Sequence, residues 1–353
     1  MQQLFNETYE SLDGLRGLAI LFVLYSHLAF FGNFWLWNNN VLFAAGGVEL
    51  FFVLSAFLLS TQYLGRPAKA FDLGAWLTYA SRRALKILPL YFAVLILYYL
   101  FKFIITTPES LLKHFAFLEG SNLFWFMPVQ FKYYVIFPII IIPLAYLAMR
   151  RRTILFYPFA ALSNFLYYCK FGAMEYPEIF KYADILVYLP VFLLGMAAAV
   201  LHFQARQIQF ASSKKARILC DLLARVLVIL IMATILLKAP IFGFYYTYLA
   251  LLWGLFIFCL LNGPELTRGI FEITPLRYLG KISFCVYLIH LLIFWLVIKY
   301  VAAGMLVNII VALILTLLIG AAVHEFIELP LGNIRDLKKV CSDFISSFIL
   351  RFT

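Results

Sequence analysis

Two ionisable residues set into an apolar stretch are the first feature of this sequence that could do chemistry. Residues 11–31, SLDGLRGLAILFVLYSHLAFF, carry Arg16 near one end and His27 near the other. Wound as one α-helix, their separation amounts to about 16 Å of rise and about 1100° of rotation, which leaves about 20° between the side chains. Both then point to one face. An ionisable residue inside a spanning helix is expensive, so it marks a site that faces protein or a cavity. The plain alternative is an arginine that snorkels to the membrane surface and a histidine hydrogen-bonded between helices.

The next apolar stretch, GGVELFFVLSAFLLS, contains Glu49. An ionised carboxylate deep in a spanning helix costs ~2.5–3.5 kcal/mol on insertion scales, so it calls for a partner or a proton. Glu49 lies at a depth comparable with that of His27, and a Glu49–His27 pair would orient one ring nitrogen, as a general base requires. The alternative is a carboxylate that caps its helix after Gly46 and Gly47, near the headgroups.

Further candidates follow downstream. SRRALKILPLY places Arg82, Arg83 and Lys86 at the mouth of a third helix that Pro89 could kink. Three cations beside an opening could hold a phosphorylated ligand, or could simply mark the cytoplasmic side. LFWFMPVQFKYYVIFP sets Gln130 and Lys132 among aromatics that include Trp125, Tyr133 and Tyr134. Aromatic faces next to hydrogen-bonding groups suit a sugar, and they also serve as ordinary packing. In GKISFCVYLIH, Ser283, Tyr287 and His290 fall at i, i+4 and i+7, one stripe of a helix. HEFIELP adds His324, Glu325, Glu328 and Pro330 at a cytoplasmic edge. The five cysteines, at 169, 220, 259, 285 and 341, show no metal-ligand or disulfide spacing and read as small buried hydrophobes.

The elements that must position these residues are membrane helices. Hydrophobic residues make up 65% of the chain, charged residues 13%, and the mean hydropathy is +0.96, a composition that excludes a soluble domain. Apolar runs long enough to cross a ~30 Å hydrocarbon core recur from end to end. They predict an all-α polytopic bundle with spans near 14–31, 42–64, 85–105, 123–148, 153–169, 185–203, 220–237, 244–262, 282–299 and 305–325. Alternate loops hold the arginine and lysine clusters, among them Arg150 to Arg152 and Lys214, Lys215 and Arg217. By the positive-inside rule both termini are expected in the cytoplasm. The net charge of +11 is therefore a matter of topology, and no nucleic-acid partner is expected. Residues 1–332 read as one membrane domain. Residues 333–353 read as a tail, either an amphipathic helix on the inner leaflet or a frayed end.

Seven landmarks in order carry a resemblance. They are Arg16 with ten residues before His27, the GVELFFVLSAFLLS block, the basic approach to ILPLY, the Trp-rich GSNLFWFMPVQFKYYVIFP, FLLGMAAA, LGKISFCVYLIH and FIELP. Over nearly its whole length the chain resembles the membrane-bound acyltransferase 3 family. The resemblance implies an integral membrane O-acyltransferase that moves an acyl group, most often acetyl from acetyl-CoA, to a hydroxyl. The acceptors of that family are cell-envelope glycans, lipid-linked sugars and small secondary metabolites. It implies His27 as the catalytic residue, Arg16 as its essential partner and Glu49 at the family's acidic position. Arg82, Arg83, Lys86 and Tyr91 are then expected on the donor. Trp125, Gln130, Tyr134, Ser283, Tyr287, His290 and Glu328 are expected on the acceptor or in support. No permanently bound cofactor or metal is expected, and the location is a bacterial inner membrane. Two positions depart from the family pattern: Lys86 stands where an arginine would offer a bidentate fork, and Gln130 where many members carry Glu. A transporter or flippase of a glycan lipid is the rival class, and it predicts inverted repeats that the sequence does not display.

Overall fold

The computed structural model describes residues 9–32, 37–120, 122–171, 184–237, 245–301 and 303–332. Among these residues the chain is helical with no strand. In order the helices are α1 (Glu10–Gly32), α2 (Trp37–Leu64), α3 (Leu73–Leu100), α4 (Pro108–Phe115), α5 (Phe126–Met149), α6 (Phe156–Phe171) and α7 (Ile185–Gln207). Then come α8 (Lys214–Leu236), α9 (Tyr245–Asn262), α10 (Glu265–Phe271), α11 (Thr274–Tyr300), α12 (Met305–Val323), a π-helical turn (His324–Glu328) and α13 (Leu329–Gly332). The expected tail, residues 333–353, lies outside the described residues.

All ten expected spans are helical. Eight are long and apolar enough to cross a membrane. The other two, α6 with 16 residues and α9 with 18, are shorter. Several helices start earlier than expected, the third and α11 by the most. The third helix begins at Leu73 rather than 85, because the Asp72 carboxylate accepts from the Gly74 amide at 2.8 Å and caps it. Arg82, Arg83 and Lys86 therefore stand within a helix and not at its mouth. Likewise α11 begins at Thr274 rather than 282.

The site is positioned by α1, which packs between α2 and α11. The contact with α11 depends on two glycines. A Cβ on Gly280 would run into the carbonyl oxygen of Asp13, and one on Gly17 into that of Leu276. Inside a bilayer, association relies on close packing of small residues, which these two positions supply. The helices run in the same direction: Asp13 meets Gly280 near one end of the contact and His27 meets His290 further along both. Behind α2, α5 and α7 interleave aromatic rings, with Phe192 stacked on Tyr133 at 3.8 Å and packed on Phe52 at 4.7 Å between centroids. α12 covers the outer side of α11.

Candidate functional site

A cavity of about 370 Å³ opens between α1, α2, α3, α5, α11 and the π turn. One end is cationic, with Arg16, Arg83, Lys86 and Lys281 in its wall. Arg16 is anchored one turn back by Asp13, Nη1 to Oδ1 at 3.1 Å. The Arg83 guanidinium lies over the Tyr134 ring at 5.3 Å and the Tyr79 ring at 5.9 Å, which fixes a long side chain without neutralising it. Lys86, with half its side chain exposed, reaches Glu328 Oε1 at 3.5 Å. The other oxygen of Glu328 accepts from His324 Nδ1 at 2.7 Å and from the Cys285 thiol at 3.1 Å. The π turn presents His324 and Glu328 together to this network.

The other end is aromatic. Phe51, Phe126 and Tyr287 line it, with Phe126 and Tyr287 at 5.1 Å between centroids. Tyr287 is held by its hydroxyl, which donates to the Leu123 carbonyl at 2.7 Å. Three residues further along α11 stands His290, fully buried, with Nε2 at 3.1 Å from His27 Nδ1.

The partners of this pair fix its protons. His290 Nδ1 lies 2.6 Å from the Tyr287 carbonyl oxygen, which can only accept, so Nδ1 carries hydrogen. In a neutral imidazole Nε2 is then the acceptor, and the hydrogen between the rings belongs to His27 Nδ1. The lone pair of His27 is left on Nε2. This tautomer is the one a general base needs.

Of the residues singled out in the sequence, Arg16, Arg83, Lys86, Gln130, Tyr134, Ser283, Tyr287 and Glu328 line the one cavity. His27 and His290 pair just beyond its aromatic end. Of the Ser283, Tyr287 and His290 stripe, Ser283 and Tyr287 are in the wall of the cavity, and His290 lies beyond it with its ring 5.8 Å from that of Tyr287.

Four expectations are corrected. Glu49 does not pair with His27. Gly47 is the residue of α2 pressed on α1, against the Ala19 carbonyl, and two residues on means about 200° of rotation. Glu49 thus faces away, towards Tyr167 of α6 and Tyr188 of α7, with no hydrogen bond to its carboxylate among the described residues. Arg82, one position from Arg83 on α3, is exposed outside the cavity. Tyr91 is fully buried, its hydroxyl donates to the His114 carbonyl at 3.2 Å and its ring stacks on Phe117, so it holds α4 in place. Trp125 stacks on Tyr188 at 5.1 Å and belongs to the Glu49 side of the bundle.

Asp13, Lys281, Phe51 and Phe126 were not singled out from the sequence. The i, i+3 spacing of Asp13 and Arg16 was the available signal for the first. Cys285, His324 and Glu328 also bring three potential metal-ligand atoms within 4.8 Å of one another. The ammonium of Lys86 on the same carboxylate and the neighbouring guanidinium groups make that spot unfavourable for a dication.

A family model described as an acyltransferase domain matches residues 9–325. No curated protein and no solved structure matches the chain.

Proposed function

The chain belongs to the acyltransferase 3 family, and on that premise we propose that it is an O-acetyltransferase using cytosolic acetyl-CoA. The acceptor is a hydroxyl of a cell-surface glycan or its lipid-linked precursor, and the enzyme works in the bacterial plasma membrane. The observation that carries the reading is the cavity that runs from Arg16, Arg83 and Lys86 to Tyr287, whose ring lies 5.8 Å from that of His290, the partner of His27. Guanidinium and ammonium groups suit the phosphates of CoA. From Arg16 to His27 is about 16 Å along α1, a span for the flexible arm that carries the thioester. Arg16 accordingly serves the donor, not the imidazole.

In the reaction, His27 Nε2 takes the proton of the acceptor hydroxyl as its oxygen attacks the thioester carbonyl. The tetrahedral adduct collapses with loss of the CoA thiolate, and the imidazolium returns the proton to sulfur. The deep aromatic end keeps bulk water from competing with the acceptor.

The test is acceptor-dependent release of free CoA from acetyl-CoA by protein purified in detergent. Release that rises with added glycan acceptor supports the reading. Glycan-lipid movement across proteoliposomes with no CoA release contradicts it.

A further inference from the structure

Gln130 projects into the cavity from α5, is almost wholly buried, and neither its amide oxygen nor its amide nitrogen has a hydrogen-bond partner among the described residues. A buried primary amide in that condition is costly unless a ligand meets it. Its position along the cavity says which ligand group that is. One turn towards the cationic end on the same helix is Tyr134, beneath the Arg83 guanidinium. One turn the other way is Phe126, packed on Tyr287 next to the His27–His290 pair. Gln130 is thus about 6 Å from each along the helix, midway between the charge that would hold a phosphate and the place where the acyl group would react.

We infer that Gln130 is the specificity-determining residue for the pantetheine arm of the donor, and that it pairs in both directions with an arm amide. Its N–H donates to the amide carbonyl and its oxygen accepts from the amide N–H. The inference rests on the acyl-CoA reading above and adds a chemical requirement to it: a donor needs an amide between its phosphate and its thioester. The aromatic and aliphatic groups beside Gln130, among them Met127 and Phe126, offer an amide no other neutral hydrogen-bonding partner on α5 at that depth. Glu at this position would keep the acceptor and lose the donor, so the neutral side chain matters.

The experiment compares two donors on wild type and Gln130→Met. One donor is S-acetyl-4'-phosphopantetheine. The other is an acetyl thioester of matched length, ending in phosphate, whose chain is all methylene. Met keeps the volume and removes both hydrogen bonds, so the wild-type preference for the amide donor, as a ratio of kcat/KM values, should fall roughly tenfold in the variant. Gln130→Glu should lie between the two. Equal losses on both donors would make Gln130 a packing residue and overturn the inference, as would an unchanged ratio. Binding of acetyl-CoA to wild type is measured alongside. If wild type neither binds nor turns over acetyl-CoA, the acyl-CoA reading fails and this inference with it, a failure told apart because it lies in the wild-type arm.

Discussion

His290 Nε2 stands 3.1 Å from His27 Nδ1, and its own Nδ1 is committed to the Tyr287 carbonyl. One fully buried ring thereby dictates the tautomer of another. His290 acts as a positioning residue, since it touches His27 and not the reacting atoms. Replacing it with Leu removes the acceptor and frees the His27 ring to rotate or change tautomer. The expected result is a fall in kcat of about 10²-fold with the donor KM little changed, because general-base catalysis is worth 10²–10⁴-fold. Gln can offer an acceptor near the position of Nε2 and should recover activity to within about tenfold. Steady-state kinetics on both variants checks this, and a loss that Gln does not relieve points to packing alone.

The cavity separates two neighbouring arginines. Arg83 is in its wall and Arg82 is exposed outside it. Arg83→Ala should raise the KM for acetyl-CoA by roughly tenfold through loss of a charge-assisted contact. Arg82→Ala should leave it within about twofold, the usual size of an exposed substitution away from any ligand. Equal effects at the two positions would mean that the charges act through topology rather than through a bound phosphate.

Glu49 gives a prediction opposite to the one its sequence context suggests. Facing Tyr167 and Tyr188 rather than His27, it has no means to set the charge of the imidazole. Glu49→Gln should leave the pH profile of the rate unshifted. Removing a buried carboxylate that accepts no hydrogen bond among the described residues should also hold or raise thermal stability in detergent. A base limb displaced towards lower pH would show that Glu49 reaches the site after all.

The two glycines at the α1–α11 contact carry the geometry of the whole site. Gly280→Ala sets a methyl group against the Asp13 carbonyl and must push the helices apart. Overpacking of this kind typically costs about 1–3 kcal/mol. It should lower the melting temperature and, by separating His27 from His290, depress kcat further than stability alone accounts for. An Ala variant with wild-type melting and turnover would show that this contact has slack.

These positions also mark how far the sequence could be read. The alignment of Arg16 with His27 and the stripe of Ser283, Tyr287 and His290 were legible because helical periodicity alone determines them. The partner of His27 was not. Which face of α2 meets α1 depends on the close approach at Gly47, a tertiary fact that no periodicity contains. Glu49 was therefore aimed at the wrong neighbour. The start of α3 was missed for a different reason: Thr78, Ser81, Arg82 and Arg83 depress local hydropathy, although Asp72 as a cap was there to be found. Gln130 was visible only as an odd amide among aromatics, since its lack of a partner exists only in three dimensions.

His27 Nε2 is the proposed acceptor of the proton lost by the hydroxyl that attacks the acyl thioester. The most direct measurement is single-turnover acetyl transfer with radiolabelled acetyl-CoA in detergent-purified wild type and His27→Asn, with donor binding measured on the same samples. His27→Asn should bind acetyl-CoA with near wild-type affinity, since the cations proposed to hold the donor are untouched. Its transfer step should slow by at least about 10²-fold. A variant that binds donor and still transfers acetyl at more than roughly a tenth of the wild-type rate would contradict the claim.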